Sequence, residues 1–147
     1  MKVPHPGKVN HQDWARELLD TEPLLLDKIQ ASVQMPAEKA KALLVEALRF
    51  LHLVAFFNRR LTPAQPVDLA WHEFILFTRL YATFCSHKFG RFIHHHPGGK
   101  DAENRKNFTK TLQHYILTIG PPPPVFWGPQ AAEMYQDAQC GNCAGNL

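Results

Sequence analysis

The sequence has few cysteines and no apolar run long enough to cross a membrane. Three cysteines among 147 residues do not make the disulfide framework of a small secreted domain. The longest apolar stretch, residues 51–57, is much shorter than a membrane span and is followed by a polar Asn-Arg-Arg. Residues 1–7 have neither the apolar core nor the cleavage pattern of a signal peptide. These absences predict a cytoplasmic protein that does not enter the membrane.

The sequence also lacks a strong excess of either charge and several well-known catalytic motifs. The formal net charge is only +3, and lysines and arginines are scattered rather than gathered in a stripe, so no nucleic-acid partner is expected. There is no phosphate-binding P-loop, dinucleotide-binding glycine motif or nucleophile elbow. His72-Glu73 begins like the zinc-protease motif H-E-x-x-H, but position 76 is Leu. These common enzyme classes are therefore not predicted.

Strand signals are weak, whereas apolar residues recur at helical spacing along most of the chain. The pattern predicts helices near residues 10–20, 22–33, 36–58, 67–88, 102–119 and 129–138, with Gly90 ending the fourth. Pro121 to Pro124 should be extended, since a proline run cannot form a helix. We therefore expect an all-α irregular bundle of five to six helices with a Pro-rich extended C-terminal segment. Residues 1–138 would form one helical domain, and residues 139–147 a flexible C-x-x-C tail.

Asp68 and His72 lie four residues apart in the predicted fourth helix, so their side chains stack on one face. A helical wheel places Arg79 on the same polar edge. A carboxylate one turn from an imidazole can orient the imidazole, or both can bind one ion. The alternative is a hydrogen-bonded pair on a solvated helix edge.

Three consecutive histidines, His94, His95 and His96, follow the predicted helix end at Gly90. Neutral imidazole is the commonest metal ligand that proteins supply. The straight helix predicted here would carry the chain roughly 24 Å from His72, so the loop after Gly90 must fold back if these groups share an ion. The alternative is a polar loop with one packed histidine.

Cysteine offers two further candidates for chemistry. Cys140 and Cys143 form a single C-x-x-C, which suits weak metal binding or redox chemistry but lacks the second ligand pair of a structural zinc site. The alternative is that this pair has no role. Cys85 falls on the apolar face of its helix, where a core thiol is expected rather than a ligand.

A longer pattern gives a family resemblance. The segments Val67-Asp68-Leu69-Ala70-Trp71-His72, then Tyr81 and Cys85, then Phe89-Gly90-Arg91-Phe92 and His94-His95-x-Pro97, resemble the glycine-rich domain-containing protein-like family. That family has a second histidine where this chain has Phe74. The resemblance implies a helical domain in which Asp68, His72, His94 and His95 act as a unit. The residues expected to support this unit are Trp71, Arg79, Tyr81 and Cys85.

Two main hypotheses for function follow. The first is a metal-binding protein in which His72, His94 and His95 bind zinc or non-haem iron. Asp68 would bind the same ion or orient one of the histidines, and His96 would be a secondary ligand. The ion could act on a small-molecule substrate, so the sequence leaves open whether the protein is an enzyme. The second is a non-catalytic interaction module whose histidine cluster is structural. Its protein partner would dock on the proline run and on Phe126 and Trp127. The alternative is that these residues pack over the bundle and close its core. A third is a redox or metal-transfer role for Cys140 and Cys143.

Overall fold

The computed structural model describes the backbone of residues 1–145 and the side chains of residues 1–140. Within that range the chain is all-α, with one short 3₁₀ helix, eight α-helices and no strand, so the predicted fold class is confirmed. The helices are more numerous than the five to six predicted, because the fourth predicted helix is divided in two and a short helix follows the prolines. The 3₁₀ helix spans Pro6–Lys8. The α-helices are α1 His11–Thr21, α2 Leu24–Val33, α3 Ala37–Phe57, α4 Gln65–Leu76, α5 Thr78–Phe89, α6 Asp101–Thr118, α7 Pro124–Trp127 and α8 Pro129–Gly145.

Helix α3 is the centre of the bundle. Helices α1, α2, α4 and α6 all pack against it, so apolar side chains are buried on several of its faces. Pro36 precedes the helix, where its missing N–H costs nothing, and Asn58 ends it in the left-handed conformation with a φ of 50°. The fully buried members of its core include Leu43, Leu44, Leu48, Phe50, Leu51 and Leu53.

The long helix predicted over residues 67–88 is wrong, because the chain turns at Phe77. Phe77 has a ψ of 69°, outside the helical range, and it ends α4 and begins α5. The turn brings Phe74 against Tyr81 and Phe84, with ring centroids 4.9 and 5.4 Å apart. In a straight helix the same residues would be displaced roughly 10 and 15 Å along the axis. Aromatic burial therefore favours two short helices.

Two segments outside the α-helices pack against the bundle. Gly90 ends α5 with a φ of 74°, as predicted, and releases the chain into the segment of residues 91–97, here called the histidine loop. Residues 1–9, here called the N-terminal strap, lie across α3: the rings of His5 and Phe56 are 5.4 Å apart. Gly7 passes so close to α6 that an added Cβ would collide with the Thr118 carbonyl oxygen.

The C-terminal part closes the bundle. The predicted extended proline run is observed at residues 121–123, whereas Pro124 begins α7. Helix α7 buries Phe126 and Trp127, which are 5% and 1% exposed. These rings therefore cover the core and do not form an exposed aromatic surface. Helix α8 continues past the predicted end near 138, while the division into a domain and a flexible tail stays a prediction. Cys140 is exposed, and the Cys143 side chain lies outside the described residues.

No helix in the described part of the chain combines the length and the apolar character that a membrane span requires.

A cleft with a histidine–aspartate pair

A chain of two hydrogen bonds fixes the histidine loop against α4 and α5. The indole N–H of Trp71 donates to the Tyr81 hydroxyl at 3.0 Å, and that hydroxyl donates to the Ile93 carbonyl oxygen at 2.6 Å. All three residues are buried. Burial raises the pKa of Tyr81 far above its usual value, so the hydroxyl remains a donor at any ordinary pH. The histidine loop is therefore attached to α5 at Ile93, its third residue.

Cys85 belongs to the same buried layer. Its side chain is fully buried, and burial raises the pKa of its thiol. A neutral buried thiol is a poor nucleophile and a poor metal ligand. This geometry is that of a core thiol, as the sequence indicated.

Fixing Ile93 brings His95 over α4. His95 Nε2 lies 2.8 Å from Asp68 Oδ1, and the His95 ring lies 4.4 Å from the Trp71 ring. The side chains of His95 and Asp68 are 27% and 42% exposed, so the pair is only partly removed from solvent. Because an ionised carboxylate only accepts hydrogen bonds, Nε2 carries the donated proton. In the neutral ring this leaves the Nδ1 lone pair free.

The other predicted metal ligands are placed differently. The ring of His72 is exposed and lies 6.2 Å from the His95 ring. His94 is exposed and contacts Phe92, with the ring centroids 4.7 Å apart. Within the part of the chain that the structure describes, no group of three or more His, Cys, Asp or Glu side chains is arranged to hold a metal ion. The structure thus brings Asp68 and His95 into contact and places His72 near them. His94 contacts Phe92 instead.

Arg79 does not share a helix face with Asp68, because the break at Phe77 lies between them. Its side chain is exposed on α5. The polar edge drawn on a single helical wheel was therefore wrong for Arg79, although it was right for Asp68 and His72, which both belong to α4.

A cleft of about 350 Å³ opens beside the His95–Asp68 pair. Arg60 closes one side by donating to the Pro97 carbonyl oxygen at 3.3 Å, and Asn104 closes another by two hydrogen bonds of 3.1 Å with the backbone of Gly99. The remaining polar side chains on its wall are Thr62, Gln65, His94, His96, Glu103 and Asn107. The cleft therefore combines these polar side chains with an apolar part of the wall, formed by Val54, Leu61 and Pro63, around one half-buried imidazole.

A second histidine pair was not found from the sequence. His11 Nε2 lies 2.9 Å from His52 Nδ1, and His52 Nε2 lies 2.7 Å from the Pro4 carbonyl oxygen. Burial, with the neighbouring His52 and Arg49, lowers the pKa of His11 to about 3, and burial also lowers that of His52. The available signal was position: His52 lies one turn after Leu48 in the apolar stripe of α3.

A buried carboxylate was missed as well. Glu46, 3% exposed, accepts hydrogen bonds from the Tyr115 hydroxyl at 2.6 Å and the Trp127 indole at 2.9 Å, and it pairs with Arg49 at 2.8 Å. Its position within an otherwise apolar stripe of α3 was the available signal. The cluster joins α3, α6 and α7, so its geometry is that of a buried structural network.

Comparison with known proteins corrects the family assignment. The model of a family named UCP032817-like matches residues 15–117, more than two thirds of the chain, and this range includes both Asp68 and His95. No curated protein and no solved structure matches the chain. The resemblance to the glycine-rich domain-containing protein-like family is therefore wrong, because short histidine and glycine motifs did not separate the two families. The chain belongs to the UCP032817-like family.

Proposed function

We propose that this protein binds a small polar molecule in the cleft and that His95 exchanges a proton with it. The observation that carries the proposal is the 2.8 Å contact between His95 Nε2 and Asp68 Oδ1 at the cleft wall. A carboxylate that accepts from one ring nitrogen fixes the orientation and tautomer of an imidazole. The opposite nitrogen, Nδ1, is then available to take a proton from a bound molecule or to return one.

The cleft has the size and lining for such a molecule. A volume of about 350 Å³ lies at the lower end of the range for small-molecule sites. Thr62, Gln65 and Asn107 bring a hydroxyl and two amides to its wall, and these groups can both donate and accept hydrogen bonds. Arg60 supplies a permanent positive charge, and Asp68 and Glu103 supply carboxylates. These groups favour a ligand that carries polar groups and also covers the apolar part of the wall.

The test is ligand-observed NMR with a library of small carboxylic acids, amides and alcohols. The wild-type chain should bind some members of the library, and His95→Ala should bind them at least tenfold more weakly. Asp68→Asn should weaken binding less, because the ring remains but its tautomer is no longer fixed. His87→Ala is the matched control, since His87 is an exposed histidine on α5 that does not line the cleft.

Two results would contradict the proposal. One is that no library member binds the wild-type chain at millimolar concentration. The other is that His95→Ala and His87→Ala bind the same compounds equally well while both remain folded by circular dichroism.

A metal-binding function is the second candidate, and the 6.2 Å separation of the His72 and His95 rings favours it. Two imidazoles that share one zinc ion have ring centroids roughly 5 to 6 Å apart, because each ligand nitrogen lies about 2 Å from the ion. A small rotation of the exposed His72 side chain would bring it into range, with Asp68 as third ligand. Zinc or ferrous iron suits this set of donors.

Titration calorimetry with zinc chloride and, anaerobically, with ferrous salt separates the two candidates. Metal binding predicts one ion per chain, lost in His72→Ala as well as in His95→Ala. The proton-transfer function predicts that His72→Ala keeps full ligand binding. Absence of any binding at one equivalent of either metal would exclude the metal site.

Location and partners complete the proposal. A cytoplasmic location is supported by the small number of cysteines and by the free thiols of Cys85 and Cys140. The hypothesis of an interaction module loses its aromatic anchors, since Phe126 and Trp127 are buried. A small molecule is therefore the partner that we favour.

A further inference from the structure

His11 and His52 form a sealed pair at the junction of α1, α3 and the N-terminal strap. His11 is 1% exposed and His52 is 0% exposed. The Trp14 ring stacks on His52 with centroids 5.2 Å apart, and the Phe89 ring lies 5.8 Å from it. Three of the four ring nitrogens are hydrogen-bonded within the protein: His11 Nε2, His52 Nδ1 and His52 Nε2.

The hydrogen bonds define the protonation state. A carbonyl oxygen only accepts, so His52 Nε2–H donates to Pro4, and His52 Nδ1 must then accept from His11 Nε2–H. Both rings are neutral in this arrangement. Adding one proton places a buried charge in the pair, and adding a second leaves two N–H groups facing each other.

The charged groups around the pair do not favour a buried cation. Arg49 on α3 and His5 in the strap act on the rings with positive charge, and Lys88 on α5 lies over the Trp14 ring at 5.2 Å. The carboxylates on this side are paired with other cations: Glu17, which is exposed, pairs with Lys88, and the buried Glu46 pairs with Arg49. Within residues 1–140, neither ring is hydrogen-bonded or ion-paired to a carboxylate. A proton on the pair is therefore costly while the pair stays buried.

The strap depends on the same pair. Among the described residues, the bond from His52 to Pro4 is the single hydrogen bond between the strap and the rest of the bundle. The other contacts are apolar or steric. They include the His5–Phe56 ring contact, the close passage of Gly7 beside Thr118, the buried Pro6, the partly buried Val3 and Val9, and Met1 against Gly90. Loss of one hydrogen bond thus removes the specific polar attachment and leaves only these contacts.

We propose that His11 and His52 form an acid-sensitive latch, which holds the N-terminal strap on the bundle when both rings are neutral and releases it when they are protonated. Release exposes Phe56 and removes the contact between Met1 and Gly90, from which the histidine loop begins. The latch therefore lies next to the segment that carries His95, and it does not depend on the proposed function of the cleft.

The direction follows from proton linkage. The released state has ordinary histidine pKa values near 6.5, whereas burial in the closed state lowers them. Above pH 6.5 both states hold the same protons, so pH has no effect. Below pH 6.5 the ratio of released to closed strap should rise about tenfold per pH unit for one histidine and more steeply if both take up a proton.

The experiment follows the backbone amide NMR shifts of Gly7, Lys8 and Val9 in the full chain from pH 7.5 to pH 4.5. A synthetic peptide of residues 1–9, measured at each pH, gives the shifts of the released strap and accounts for the titration of His5. The shifts of the wild-type chain should move from their bound positions towards those of the peptide below pH 6.5.

Three variants test the cause. The first, His52→Gln, keeps a donor for Pro4 and an acceptor for His11 but does not titrate. The second is His11→Gln. The third combines both substitutions and should show no pH-dependent release of the strap. Gly7→Ala should displace the strap at every pH, because its Cβ collides with Thr118, and it therefore supplies a positive control. His87→Gln, an exposed site, should behave like the wild-type chain.

The latch is overturned if the wild-type strap keeps its bound shifts at pH 4.5, or if the double variant releases it with an unchanged pH profile. If His52→Gln is unfolded at pH 7.5, the wild-type titration and His11→Gln decide the question in the same way.

Discussion

The two histidine pairs of this protein differ in their partner and in their access to solvent. His95 faces a carboxylate at the wall of a cleft, and both members of that pair are partly exposed. His52 faces a second imidazole and a backbone carbonyl inside the core, where it is fully buried. A carboxylate can stabilise an imidazolium, whereas a second imidazole cannot. The first pair is therefore suited to proton exchange, and the second requires both rings to stay neutral.

The two pairs should also respond differently to substitution. Removing a buried, fully hydrogen-bonded ring leaves a cavity and unpaired polar groups, and both are costly. Removing a ring from an open cleft lets water replace it. We therefore expect substitutions in the buried pair to change folding and substitutions in the cleft pair to change ligand binding.

The largest effect is expected for His52→Ala. It should lower the free energy of unfolding by about 3 to 4 kcal/mol, because a cavity forms beside Trp14 and the His11 N–H loses its acceptor. Urea unfolding at pH 7.5 measures this value. His87→Ala, at an exposed site, should change it by less than about 0.5 kcal/mol. Equal losses in the two variants would remove the distinction between buried and exposed histidines.

Acid should produce the next largest effect. Lowering the pH from 7.5 to 4.5 should cost the wild-type chain about 2 to 3 kcal/mol through His11, because its pKa is about 3 when folded and near 6.5 when unfolded. The loss begins near pH 6.5 and levels off once the strap is released, because the released and unfolded states then bind the same number of protons. Urea unfolding at several pH values measures it, and the His11→Gln variant supplies the contribution of all other groups. Parallel pH profiles for the two chains would contradict this assignment.

Tyr81→Phe should cost about 2 kcal/mol. The substitution leaves the Trp71 N–H without its acceptor and the Ile93 carbonyl without its donor, and both groups are buried. Because these bonds hold the histidine loop, the ring signals of His95 in NMR spectra should also change. Leu18→Ala is a useful control, since it removes a buried side chain of α1 without touching the two hydrogen bonds or the aromatic packing at the turn. Unchanged His95 signals in Tyr81→Phe would mean that the loop is positioned by other contacts.

The smallest change in stability is expected for His95→Ala, below about 1 kcal/mol, because its contact with Asp68 is partly exposed and screened by solvent. Ligand binding in the cleft should nevertheless be lost. Urea unfolding and ligand binding measured on the same sample give both effects of His95→Ala. A large loss of stability in this variant would show that the cleft pair, like the buried pair, is structural.

Much of the fold follows from the pattern of apolar residues. The predicted helix near residues 10–20 is observed at His11–Thr21, and the one near 102–119 at Asp101–Thr118. Gly90 ends α5 because glycine adopts the left-handed conformation without strain. These features depend on neighbours a few residues apart, so the sequence is sufficient to predict them.

The candidate site was only partly predictable. Asp68 and His95 were both identified as chemically interesting, but their contact depends on the turn at Phe77 and on the Tyr81–Ile93 bond. No glycine or proline marks that turn, so local sequence favours one continuous helix. The packing of three aromatic rings decides otherwise.

The amino-acid pattern is sufficient to predict a helical chain, the bounds of most of its helices and the residue types available for chemistry. Which histidines are buried and which face a carboxylate depends on how the helices pack. Helical periodicity is a property of neighbouring residues, whereas burial and charge environment depend on side chains brought together from distant parts of the chain. His11 and His52, separated by 41 positions, acquire their properties only when α1 packs against α3.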